Sequence, residues 1–173
     1  MSPLLEKKFT EIERQRKEIF DWVRNVSVDQ INESPAPGKW SLAQIYTHLY
    51  VAEKLSVSYM KKKSLGLKSL ASTTVLDDLK FLFLTISQRI PVKYKAPPIV
   101  LQHTPTPVPI TDLEKEWDRL RQELKQLVET FDDTDVYRKV YKHALMGRLN
   151  VLQAMSFFKE HIIHHTPQIK RLL

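Results

Sequence analysis

The chain has 173 residues, of which 42% are hydrophobic and 27% charged, a balance that suits one globular domain with a buried core. Cysteine is absent, which excludes disulfides, thiolate nucleophiles and cysteine-ligated metals, and fits a cytoplasmic location. The formal net charge is +7, but the basic residues are interleaved with acids (Lys7, Lys8, Arg14, Arg16 and Lys17 among Glu6, Glu11, Glu13 and Glu18), as on a solvated helix face rather than a nucleic-acid footprint.

Only three glycines occur, and Leu, Glu, Lys, Gln and Arg are abundant, so helices are favoured over strands. No apolar run is long enough for a membrane span, and the first residues lack the apolar segment of a signal peptide. The first predicted helix runs from about Pro3 to Arg24, with Leu5, Phe9, Ile12, Ile19 and Trp22 as its apolar stripe. A turn containing Pro35, Pro37 and Gly38 follows. Ser41 and Gln44 have the spacing of a capping box, and Trp40 can staple onto Ile45, so a second helix starts there and runs to about Lys63. The run Lys61-Lys62-Lys63 then suits the negative end of that helix.

Gly66 and a Ser/Thr-rich stretch to Thr74 form a loop before a shorter helix, Leu76 to Ile90. Pro91 ends it, and an irregular stretch carrying Pro97, Pro98, Pro105, Pro107 and Pro109 follows. Its length points to a functional or flexible loop. Thr111 and Glu114 have capping-box spacing for a helix to about Thr130. The last helix starts after Asn150, with Gln153 at its third position, and heads toward Leu172; Pro167 should end or kink it just after His165. With no strand pattern, the expected fold is all-α: a four-helix bundle with one additional short helix and a long Pro-rich loop.

Three of the six histidines, His161, His164 and His165, crowd into the last helix. On a wheel advancing about 100° per residue, His165 lies close to the inward centre marked by Phe158, Val151, Ile162 and Ile169. His161 lies about 60° aside, His164 falls near the rim and Glu160 points outward. His161 and His165 stand one turn apart on one face, a spacing at which two imidazoles can share a metal ion. A third ligand is available in His48, which shares the inward arc of the second helix with Ile45, Leu49, Ala52 and Tyr59. An imidazole-only zinc site normally uses three such ligands and keeps one position open. Spacing alone leaves two readings standing: a metal site on His48, His161 and His165, or hydrogen-bonded core histidines. His103 and His143 read as ordinary polar residues. For proton transfer the sequence offers only Glu53 and Tyr46, at or beyond the edge of the same arc.

Three stretches resemble the DinB-like superfamily, close to its DinB/YfiT group of metal-dependent enzymes. They are Gly38-Lys39-Trp40-Ser41-Leu42-Ala43-Gln44-Ile45 with His48-Leu49, then Pro91 to Pro98, then Gly147 to Gln153 with His161, His165, Gln168 and Ile169. The resemblance spans nearly the whole chain as one domain, residues 1–173. It implies an up-and-down bundle that binds a divalent metal, zinc or nickel, on His48, His161 and His165. It also implies a small-molecule substrate, chemistry on a low-molecular-weight thiol such as bacillithiol (S-transferase) or on water (hydrolase), and a homodimer. It departs at Thr166-Pro167, which sets a helix breaker before Gln168 and weakens any role for Gln168 in supporting His165. The competing class is a non-catalytic binding or stress-response bundle whose metal is structural or absent.

Overall fold

The computed structural model describes residues 1–89, 107–143 and 147–173. Its elements in chain order are α1 (Pro3–Val23), α2 (Val28–Asn32), α3 (Leu42–Ser64), a 3-10 turn (Leu67–Ser69), α4 (Val75–Arg89) and α5 (Ile110–Glu129). A second 3-10 turn (Asp135–Tyr137), strands β1 (Tyr141–His143) and β2 (Gly147–Leu149), and α6 (Val151–Leu172) complete the list. The long helices α1, α3, α5 and α6 form a ring in which α1 packs on α6, α6 on α3, α3 on α5 and α5 on α1. The fold is therefore the expected all-α bundle. Residues 90–106, which hold Pro91 to Pro98 and His103, lie outside the described residues.

Local signals set two helix starts. The Ser41 hydroxyl accepts from the Gln44 amide at 3.3 Å while the Gln44 side chain accepts from the Ser41 amide at 2.9 Å. Asn150 and Gln153 make the same reciprocal pair at 2.8 and 3.1 Å. Each box satisfies two amides that the first turn of a helix leaves without partners. The proposed box at Thr111 does not form: α5 starts two residues earlier than that cap requires, and its N-cap is Pro109 with no side-chain bond. Ile110 packs against the core, so burial decides that start rather than the cap.

Two other expectations are corrected. Strands β1 and β2 pair antiparallel, with Tyr141 opposite Leu149 and His143 opposite Gly147. Strands of three residues are too short to leave a readable period. Gly147 has a φ of +74°, a left-handed conformation that a side chain would strain. Pro167 does not end α6, which continues to Leu172. Loss of one backbone donor there is outweighed by tertiary packing: Ile169 is fully buried, and the Lys170 ammonium sits 5.0 Å from the Trp22 ring of α1. The core itself joins all four long helices, with Trp117, Leu124, Tyr46, Ile45, Ile12 and Met155 completely enclosed. No helix of the described residues is long and apolar enough to cross a membrane.

Candidate metal centre

The interface of α3 and α6 places His48 opposite His161 and His165. The three ring centroids are mutually 5.0 to 5.1 Å apart, a nearly equilateral triangle. One nitrogen from each ring lies within 4.8 Å of the other two. The closest approach is His48 Nε2 to His161 Nε2, 3.2 Å. Two imidazole nitrogens on a tetrahedral ion with metal–nitrogen bonds of 2.0–2.1 Å stand about 3.3 Å apart, so this pair already has ligand spacing. His164 is half-buried, lies perpendicular to the His165 ring with centroids 5.1 Å apart and stands outside the triad.

Neighbouring side chains fix the rings. Trp40, which precedes the capping box of α3, lies 4.9 Å from the His48 ring. Phe157 stacks almost parallel on His161, with centroids 5.4 Å apart. Gln168 Oε1 is 3.1 Å from His165 Nδ1. An N–H at Nδ1 donating to that carbonyl leaves the Nε2 lone pair for a metal, the arrangement by which a supporting group sets a ligand's tautomer. Gln168 thus does support His165, because α6 stays helical through Pro167 and brings Gln168 back over His165 at i+3.

Burial also keeps these imidazoles uncharged. It pushes His48 down to about 3, helped by the nearby His165 and His164, and His165 down to about 4. His161 is held well below the ordinary value, first by burial and then by the other histidines. Neutral imidazole is the ligating form. The donor set therefore fits a divalent metal in ring spacing, protonation and tautomer support.

The two proton-transfer candidates face elsewhere. The Tyr46 hydroxyl donates to the Ile19 carbonyl of α1, and burial raises its pKa. Glu53 is buried against α5, where its carboxylate makes a two-pronged ion pair with Arg121 at 2.7 and 2.8 Å. Burial alone pushes Glu53 up and Arg121 down, and each partner's charge opposes that push. Neither candidate belongs to the triad. Arg121→Met is expected to destabilise the protein by about 3–5 kcal/mol, because it strands a buried carboxylate. Urea denaturation reads this directly, and adding Glu53→Leu should recover most of the loss; a single variant as stable as wild type contradicts an ionised pair.

Two groups near the site escaped the sequence reading. His143 is buried, not an ordinary surface residue, and burial lowers its pKa to about 4. Its ring lies nearly perpendicular to that of Phe157 with centroids 4.5 Å apart, so Phe157 is flanked by His143 and His161. In β1 the burial alternates, with Tyr141 and His143 inward and Lys142 outward, but a strand of three residues is too short for the sequence to show it. Glu160 is buried as well, contrary to the wheel, because α6 packs against α1, α3 and α4 and keeps little outer face.

Comparison with known proteins agrees with this architecture. The family model of the DinB superfamily matches residues 11–169, a span that includes all three histidines. The uncharacterized protein YuaE of Bacillus subtilis (strain 168) is 22% identical over 157 residues, covering 91% of each chain.

Proposed function

On the premise that this chain belongs to the DinB superfamily, we propose that it is a single-domain, cytoplasmic, metal-dependent enzyme that activates a low-molecular-weight thiol, or water, for transfer to a small electrophilic substrate. His48, His161 and His165 hold the metal, zinc or nickel. The observation that carries this reading is the convergence of three neutral imidazoles from two helices, His48 buried and His161 and His165 half-buried, with His165 oriented by Gln168. Three neutral ligands leave a divalent ion its full charge, so a thiol or water bound there ionises near neutral pH. The protein's own part is to keep the imidazoles deprotonated and the rings fixed, through burial and through Trp40, Phe157 and Gln168.

The test loads the purified chain with zinc or nickel and supplies bacillithiol, or cysteine as a simpler thiol, with a chromogenic aryl halide. The metal-loaded protein is expected to form thioether at least about tenfold faster than the same protein stripped by chelator. A cobalt-substituted sample should also gain a thiolate-to-metal absorption band when the thiol is added. A loaded protein that neither accelerates thioether formation or ester hydrolysis nor takes up thiol on cobalt would leave the non-catalytic bundle as the better reading.

A further inference from the structure

The side of α6 that meets α1 carries a second concave feature. Gln15, Glu18 and Trp22 of α1 and Ile163, Pro167 and Lys170 of α6 line a groove of about 390 Å³, within the size range of small-molecule sites. It shares no residue with the histidine triad. Pro167, at which the chain departs from the DinB-like resemblance, stands in its wall.

Three oxygen acceptors and one aromatic face border this groove. Pro167 has no amide hydrogen, so the Ile163 carbonyl one turn back is denied its helical donor, although α6 continues through both residues. Thr166 does not take over that role, because its hydroxyl donates to the Ile162 carbonyl, 3.0 Å away. Gln15 Oε1 is buried and meets no donor among the described residues, a costly state for a carboxamide oxygen. Glu18 adds an exposed carboxylate that no lysine or arginine of the described residues pairs. The Lys170 ammonium sits 5.0 Å from the centre of the Trp22 ring, a cation–π contact. The groove thus already seats one alkylammonium, supplied by its own wall. Lys170 is exposed, so its charge returns to water when another cation takes its place.

We propose that the groove binds an aliphatic polyamine, whose ammonium groups displace Lys170 from Trp22 and donate to the Ile163 carbonyl, Gln15 Oε1 and the Glu18 carboxylate. An ammonium suits these partners because it offers three donors and no acceptor, whereas all three oxygens are acceptors. An anion would meet the same oxygens with its own lone pairs and find only Lys170 to pair with. A neutral apolar molecule would leave the Gln15 and Ile163 oxygens without donors. The net charge of +7 repels a polyamine at long range, so saturable binding in physiological salt has to come from these local contacts.

Calorimetric titration of the full chain with spermidine in physiological salt should show one saturable site tighter than about 1 mM. Glu18→Gln should weaken it at least about tenfold, and Pro167→Ala, which returns an amide hydrogen to the Ile163 carbonyl, at least about threefold. Lys170→Met removes the competing ammonium and should tighten binding at least about threefold. Lys62→Met, an equal loss of charge at the far end of α3, should leave it unchanged. Glu18, Pro167 and Lys170 are exposed, so circular dichroism should not change in these variants. Affinity should also be the same with and without zinc; binding that zinc abolishes would put the amine on the histidines and overturn the proposal. A wild type without saturable binding overturns it, as does a Glu18→Gln or Pro167→Ala variant that binds as tightly as wild type. A lysine tripeptide held at least about tenfold tighter than spermidine would mean that the ammonium comes from a protein, and overturns the small-molecule site as well.

Discussion

His161→Ala is expected to strip the chain of its metal. Elemental analysis should find about one divalent ion per wild-type chain after incubation with zinc or nickel, and less than about a tenth of that in the variant. His161 holds the closest ring-to-ring nitrogen contact of the triad, 3.2 Å from His48, and its loss leaves two ligands on an ion that ordinarily takes three from the protein. Removing only the supporting group, as in Gln168→Leu, should weaken binding about 10–100-fold, the usual consequence of releasing a ligand's orienting partner. The fold should survive both changes, since Ile45 and Leu49 of α3 and Phe158 and Ile162 of α6 stay buried in the apolar core. Far-UV circular dichroism checks that point. A wild type that stays metal-free in excess zinc and nickel would sink the metal centre and return the histidines to the core.

The second large effect concerns acid. Without metal, His48, His143, His161 and His165 are neutral in the folded protein well below pH 6.5, because burial opposes their protonation. In the unfolded chain each recovers a pKa near 6.5. As pH falls below that value the unfolded state binds protons that the folded state refuses, so stability falls with pH and is regained as pH rises. The loss is about 2 kcal/mol per imidazole at pH 5, or about 8 kcal/mol if all four remain neutral, comparable with the whole stability of a typical domain. Metal-free protein should therefore show a steep fall in its urea midpoint from pH 7 to pH 5, with little change from pH 7 to pH 8. Excess zinc should move the transition to lower pH, since metal binds only the neutral rings. A midpoint independent of pH across this range would mean that the imidazoles are solvated.

Local chemistry made much of this protein legible in one dimension. Ser41 with Gln44, and Asn150 with Gln153, announce helix starts because a capping box closes within four residues. His161 and His165 announce a shared face because helical geometry fixes their separation. The partner of that pair was readable through the inward arc of α3, and the resemblance to the DinB-like superfamily selected the same histidine.

Features that depend on distant packing were not readable. Pro167 is a helix breaker by local rules, yet Ile169 and the Lys170–Trp22 contact carry α6 past it and thereby bring Gln168 to His165. Glu53 shares an arc with His48 on paper, but Arg121 from α5 claims it. His143 and Glu160 look like surface residues until a strand pair buries the first and three neighbouring helices the second. Sequence by itself determined the long helices, the two capping boxes at Ser41 and Asn150 and the two-histidine face, because those interactions close within a turn or so of chain. Only the tertiary structure decided that His48 stands 3.2 Å from a histidine 113 residues away, that burial holds the triad neutral, and that Trp22 and Pro167 line one groove. Those outcomes rest on which surfaces exclude water from one another, and a local pattern carries no record of that.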